Sequence, residues 1–225
     1  MKILSWNCHD HFTDAKSKKV TPEDPDILII QECQKKEYEE QKKGWAYHCW
    51  YGDGLNGEPG GIAIFSKDGY RLERYPISEF GKKLRYVIPY KISGRKDFTL
   101  GVVWTKGKPF GYTETVLMAI DEYKMYDSTI LIGDFNTRSK NNKDDNYLKL
   151  EKGMQYRNFF NCDIDETPAF TFYRGLKKVI DDYCFVSEDI KCQVKSKTGF
   201  HETWTPADYQ KGTSDHCPLI VTVDL

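Results

Sequence analysis

Four short polar clusters stand at the ends of apolar runs in this chain: Trp6-Asn7, Gln31-Glu32, Gly133-Asp134-Phe135-Asn136 and Ser214-Asp215-His216. A further acidic pair, Asp181-Asp182, follows Val179-Ile180. Carboxylates and amides gathered without paired cysteines or clustered histidines form the ligand set of a hard, oxygen-preferring cation such as Mg²⁺ or Mn²⁺. His216 suits a different task. An imidazole beside a carboxylate is held in one orientation and kept protonated, so that it can brace a phosphoryl oxygen whose charge grows during attack. The chemistry implied is metal-assisted hydrolysis of a phosphate ester.

Delivering those groups requires strands that stop where the polar residues begin. The run Ile130-Leu131-Ile132 is apolar enough for a strand buried on both faces, and Gly133 lets the backbone turn without a Cβ penalty. Alternation along an extended chain would then point Asp134 and Asn136 to one side. The same patterning predicts strands over 2 to 6, 26 to 31, 45 to 51, 61 to 66, 70 to 75, 84 to 92, 97 to 104, 128 to 133, 181 to 187 and 217 to 224. Helices are predicted over 34 to 43, over 112 to 125, and from 144 or 145 to about 160 with a break at Gly153. The runs 61 to 66 and 70 to 75, joined through Lys67-Asp68-Gly69, read as a hairpin, which points to antiparallel pairing rather than repeated βαβ units. Two packed sheets flanked by helices are the natural layering for such a set.

At 225 residues the chain is expected to form one domain, 1 to 225. Hydrophobic residues at 39% and aromatics at 14% exclude a disordered chain. No apolar run approaches the roughly 20 residues that span a bilayer, so a soluble protein is expected. The first residues enter a strand pattern at once, without an export signal, which predicts a cytoplasmic location. Seven cysteines, outside CxxC pairs, read as reduced and structural, and a zinc cluster from Cys8, His9 and His11 lacks a second half. With 33 Lys+Arg against 34 Asp+Glu the net charge is −1, so no broad field attracts a polyanion. Of the local basic stretches, Lys16 to Lys19 reads as a solvated face, and Arg174 to Lys178 draws interest because it lies beside Asp181-Asp182.

The ordered set Trp-Asn, Gln-Glu, Gly-Asp-Phe-Asn, Asp-Tyr and Ser-Asp-His resembles the endonuclease/exonuclease/phosphatase superfamily over Trp6 to Pro218. Gly60 to Ser66 and Ala169 to Tyr173 are similar to family blocks as well. The resemblance implies an α/β (α+β) fold, a four-layer αββα sandwich in which two mixed β-sheets pack face to face with helices outside. It also implies roles. Glu32 matches the main metal-binding glutamate, assisted by Asn7 and Asp215. Asp134 matches the aspartate that orients or deprotonates the attacking water, and Asn136 the amide that holds a phosphate oxygen. His216 matches the histidine on the scissile phosphate, and Asp182, rather than Asp181, matches its partner.

Two departures from the pattern stand out. Family members often carry Asp two residues after the first Asn, where this chain has His9. They also carry His or Tyr at the end of the strand before the long helix, where this chain reads Trp104-Thr105-Lys106, leaving Thr105, Lys106 or Tyr112 for that contact. Candidate substrate contacts are therefore Thr105, Thr171, Tyr173 and Trp204, with Phe172, His201 and Tyr209 nearby in sequence. Trp6, Trp45, Trp50 and Trp104 are expected in the core. The expected protein is a Mg²⁺- or Mn²⁺-dependent monomer acting on a phosphate ester, foremost in DNA or RNA. A small-molecule or lipid-headgroup phosphate is the alternative, and a non-catalytic binding module is disfavoured because every candidate catalytic position is filled.

Overall fold

The run Ile27-Leu28-Ile29-Ile30 turns Ile27 and Ile29 to one face and Leu28 and Ile30 to the other, and both faces are buried, in two separate apolar clusters. That pattern repeats across a computed structural model that describes residues 1–52, 60–138, 145–162, 171–174, 177–198 and 213–224. In chain order the elements are β1 (Lys2–Asn7), α1 (Asp14–Val20), β2 (Ile27–Gln34), α2 (Lys35–Gln41), β3 (Tyr47–Tyr51), β4 (Gly60–Ser66), β5 (Arg71–Arg74) and β6 (Val87–Ser93). They continue with β7 (Phe98–Trp104), α3 (Tyr112–Tyr123), β8 (Thr129–Asp134), α4 (Asp145–Tyr156) and β9 (Phe159–Asn161). The last are β10 (Phe172–Arg174), β11 (Lys177–Val179), β12 (Asp182–Ser187), β13 (Val194–Thr198) and β14 (Leu219–Val223).

Two six-stranded sheets result, ordered β13-β14-β1-β2-β4-β3 and β5-β6-β7-β8-β12-β9, with β10-β11 as a separate hairpin. Both sheets are mixed: β1 runs parallel to β2 and β7 parallel to β8, while the other pairs are antiparallel. Their inner faces share one cluster, in which Ile3, Ile29 and Ile64 of the first sheet meet Ile88, Val102 and Ile132 of the second. The outer face of the first sheet packs Trp6, Leu28 and Phe65 with Phe12, Val20 and Tyr38. The outer face of the second packs Val103, Leu131 and Phe185 with Val116 and Ile120 of α3 and Leu150 and Met154 of α4. The expected four-layer sandwich is the observed one. Among the described residues no helix is long and apolar enough to cross a membrane.

Several local expectations fail for identifiable reasons. The stretches read as a hairpin part company: β4 pairs with β2 and β3, whereas β5 pairs with β6 in the opposite sheet. Lys67 N donates to Asp26 O, which anchors the connection to the first sheet before the chain crosses over. Helix α4 runs unbroken through Gly153, whose missing Cβ lets Leu117 of α3 approach: a Cβ there would lie 2.5 Å from Leu117 Cδ1. The helix ends at Tyr156 instead of near 160, because Asn158 takes φ 58° and the chain re-enters the sheet as β9. Strand β6 starts at Val87, since Leu84 closes a turn. Helix α1, β9, the β10-β11 hairpin and β13 had no strong sequence signal. Lys16, read as part of a solvated face, is buried, and its ammonium donates to three backbone carbonyls.

The end of β8 imposes the tightest backbone demand. Gly133 has φ 142°, and a Cβ on it would fall 2.0 Å from the Val103 carbonyl oxygen of the neighbouring strand. We expect Gly133→Ala to lower stability by at least about 1–3 kcal/mol in urea unfolding. A loss of less than half a kilocalorie would show that the strand end relaxes freely.

Candidate active site

Asn7 ends β1, Glu32 lies near the end of β2 and Asp134 closes β8, so adjacent strand ends from both sheets face one another. Asn7 Nδ2 donates to Glu32 Oε1 and to Asp134 Oδ2, each at 3.0 Å. Glu32 reaches this position through a β-bulge between Gln31 and Cys33, where it adopts φ 62°. The bulge re-aims one side chain of an otherwise buried strand. Gln31, on the buried side, instead donates Nε2 to Ser5 Oγ at 2.7 Å.

Asp134 is 1% exposed and fully engaged. Its Oδ1 accepts the Asn136 backbone N–H at 2.8 Å, and its Oδ2 accepts Asn136 Nδ2 at 3.0 Å. Asn136 curls back with φ 48°, so the two side chains meet through a turn rather than through strand alternation. The Asn136 amide also donates to Thr105 O at 3.1 Å, which commits both Nδ2 hydrogens. In this arrangement Asn136 braces Asp134, and contact with a phosphate oxygen would require one of those bonds to be given up.

His216 faces this group. Its Nδ1 lies 2.9 Å from Asp182 Oδ2 and its Nε2 lies 4.0 Å from Asp134 Oδ2. Asp182 and Asp134 are direct cross-strand partners in β12 and β8, which puts both carboxylates on one edge. Of the Asp181-Asp182 pair it is Asp182 that meets the histidine; Asp181 lines the cleft. The His216 backbone is fixed by N–H donation to Ser214 Oγ and by acceptance from Trp6 Nε1 at 2.9 Å. Burial alone disfavours the imidazolium, but Asp182 and Asp134 outweigh it and raise the His216 pKa to about 10. Burial pushes Asp134 up to about 7; His216 opposes that shift, whereas Asp182 adds to it.

Asp134, Asp182 and His216 lie close enough to hold a metal ion. A cation bound there would have to displace the proton that Asp182 and Asp134 favour on His216. Glu32 and Asp215 offer further oxygen donors in the same cleft. Both line a cleft of about 350 Å³ with Asn7, His9, Asp134 and His216, and Asp215 Oδ1 is buried without a hydrogen bond. Carboxylates and an amide lining one cleft are the oxygen donors that a hard divalent cation takes.

Other predicted contacts turn out differently. Thr105 is fully buried, with its hydroxyl donating to Phe135 O at 2.5 Å, so it supports the end of β8 instead of reaching substrate. Thr171 is likewise fully buried, and its Oγ1 accepts the backbone N–H groups of Asp181 and Asp182 at 2.9 and 3.0 Å. It positions the histidine's partner. Trp104 packs on Tyr86 with ring centroids 4.6 Å apart, and Lys106 Nζ sits 3.7 Å over the Trp104 ring. Of the three candidates beside the long helix, Tyr112 lines the cleft. Phe172 stacks against His216 with ring centroids 4.9 Å apart. The Tyr173 side chain, Trp204, His201 and Tyr209 lie outside the described residues, as do residues 53 to 59. Arg138 and Asn146 line the cleft without having been singled out, because each sits in polar sequence with no motif around it.

Residues 4–216 match the family described as Endonuclease/Exonuclease/phosphatase family. No curated protein sequence matches the chain. Among solved structures, the fold is similar to the endonuclease domain of TRAS1, a telomere-specific non-LTR retrotransposon, with a TM-score of 0.73 at 15% identity, covering 100% of this chain and 98% of that one. It is similar to a 3′-5′ exonuclease from Neisseria meningitidis, with a TM-score of 0.68 at 18% identity and full coverage of both chains. An AP endonuclease from Archaeoglobus fulgidus gives 0.67 at 16% identity, again with full coverage of both.

Removing Asp182 would strand a buried imidazolium. We expect Asp182→Ala to destabilise the fold by about 3–5 kcal/mol, measured by urea denaturation at neutral pH, as breaking one side of a buried pair does. Stability within 1 kcal/mol of the parent would show that this pair does not hold the site together.

Proposed function

Because the chain belongs to the endonuclease/exonuclease/phosphatase family, whose members hydrolyse phosphate esters, we propose that it is a Mg²⁺- or Mn²⁺-dependent phosphodiesterase acting on nucleic acid. The observation that carries this reading is the convergence of oxygen donors and a protonated histidine on one cleft wall. Three similar folds are named for cutting nucleic acid, which favours that substrate over others. A small-molecule phosphate ester is the second reading, supported by a net charge of −1 that gives no attraction to a long polyanion.

Glu32, Asn7 and Asp215 would hold the cation, which when bound neutralises charge on the phosphoryl oxygens. Asp134, in its ionised form, accepts a hydrogen bond from the attacking water and sets it in line. The three donors from Asn7 and Asn136 hold that carboxylate still while it does so. His216 directs its Nε2 proton toward a phosphoryl oxygen, with Asp182 fixing the ring through Nδ1. Thr105, Thr171 and Ser214 act through these residues as positioning groups.

The reading is tested by a substrate panel with each metal: abasic duplex, single-stranded DNA, poly(A), inositol phosphates and sphingomyelin. Cleavage of nucleic acid diesters supports it, and activity confined to monoesters overturns it. Asp134→Ala and His216→Ala, assayed on the fraction that remains folded, are expected to lose on the order of 10²- to 10³-fold or more in turnover of bis-p-nitrophenyl phosphate. Near-normal turnover of Asp134→Ala would remove it from the chemistry. Mg²⁺ or Mn²⁺ at about a hundred times its dissociation constant should stabilise the parent by about 2.7 kcal/mol, read as a rise in Tm that Glu32→Gln abolishes. Absence of both hydrolysis and metal response would instead identify a binding module.

A further inference from the structure

Cys162 and Cys184 meet across β9 and β12, on the side turned toward the core between the sheets. The β9–β12 register, which pairs Phe159 with Ser187 and Asn161 with Phe185, extends by one step to these two residues, and Cys162 N donates to Cys184 O at 2.9 Å. Directly opposite residues joined this way in an antiparallel ladder have Cα atoms about 5.5 Å apart, inside the span of about 4.4–6.8 Å that a disulfide bridges. The two Sγ atoms already lie 3.7 Å apart. Closing that gap to a bond of about 2.05 Å takes side-chain rotation and no new strand pairing.

A bond between them would tie down the strand that carries Asp182. That residue stands two positions before Cys184 in β12, so alternation puts both side chains on one face. On one side β12 is held by β8 from Asp182 to Val186, and on the other by the three-residue edge strand β9. An edge strand that short opens locally far more often than the whole fold does. Opening admits a small oxidant to Cys162, which lies just past the end of β9 and is 8% exposed against 2% for Cys184. Contact with Cys162 and burial raise the Cys184 pKa well above that of an ordinary thiol, so Cys162 reacts first.

We propose that Cys162 and Cys184 are a redox pair that closes to a disulfide under peroxide and reopens by exchange with a dithiol, fastening β9 to the strand that presents Asp182. The Cys162 sulfur attacks one peroxide oxygen; the O–O bond breaks, a sulfenic acid forms, and the departing hydroxide takes the thiol proton and leaves as water. The Cys184 sulfur then attacks the Cys162 sulfur; the S–O bond breaks, and the second hydroxide leaves as water with the Cys184 proton. The two thiols lose two electrons in all, and one peroxide is reduced to two waters. Neither sulfur takes part in the proposed hydrolysis.

The test uses the whole chain, first reduced, then treated with hydrogen peroxide, alkylated at its remaining thiols and digested without reductant for mass mapping. A peptide linked through Cys162 and Cys184 is expected, lighter by two hydrogen atoms than its two parts, and dithiothreitol should return it to those parts. The oxidised chain should melt about 5–10 °C above the reduced one. Amides of β9 and β12 should also exchange more slowly with solvent after oxidation, and Cys162→Ala should show neither change. Mapping the parent needs no variant, so a misfolded substitution does not blunt the test. A bond between other cysteines, sulfinic acid at Cys162 without a link, or both thiols left reduced under peroxide overturns the pair. A linked pair that leaves Tm and β12 exchange as they were overturns the fastening of that strand.

Discussion

One amide group joins the two sheets at the cleft. Asn7 Nδ2, from the first sheet, donates to Glu32 of the same sheet and to Asp134 of the other. Asp134 is all but sealed from solvent, so its carboxylate depends on such donors for the solvation that water would otherwise supply. A shift of one sheet against the other would break that bond and leave a polar group unpaired in the interior. Sheet packing, strand length and the site are therefore coupled through this contact, and the shared core of Ile3, Ile29, Ile64, Val102 and Ile132 fixes the spacing that permits it.

Electrostatics on the other side of the cleft follows from the same burial. His216, Asp182 and Asp134 are each nearly inaccessible, so none can rely on water to moderate its charge. The histidine resolves the conflict by remaining protonated between two carboxylates, which is why its pKa is raised to about 10 in spite of burial. Thr171 supports the arrangement by tying the backbone of Asp181 and Asp182, and Trp6 and Ser214 tie that of His216. Trp6, Thr171 and Ser214 are thus parts of the site although none presents a reacting group.

The motif residues were legible because each stands where an apolar strand stops, a pattern visible along the chain. Asn7, Glu32, Asp134, Asp182, Asp215 and His216 do gather, and the four layers follow from strands apolar on both faces. The hairpin expected between 61 to 66 and 70 to 75 failed because a short turn rich in Gly and Asp reports reversal of the chain and not which sheet receives it. Gly153 suggested a helix break because its role, a close approach by Leu117, involves a residue far away in sequence. Lys16 looked solvated because the carbonyls that bury it belong to a loop whose left-handed shape no propensity predicts.

The amino-acid sequence by itself determined the family, the layering and the list of polar groups that gather at the cleft, since these depend on residue type, order and local periodicity. Only the tertiary structure distinguished the groups that face the cleft from those that hold them. Thr105 and Thr171 became supports, Asn136 turned both amide hydrogens inward, Asp182 was selected over Asp181, and His9 came to rest against Asp215. Each of those outcomes depends on donors and acceptors brought together across sheets and loops, where a displacement of about an ångström decides whether a hydrogen bond exists. Spacing along the chain carries no information at that scale.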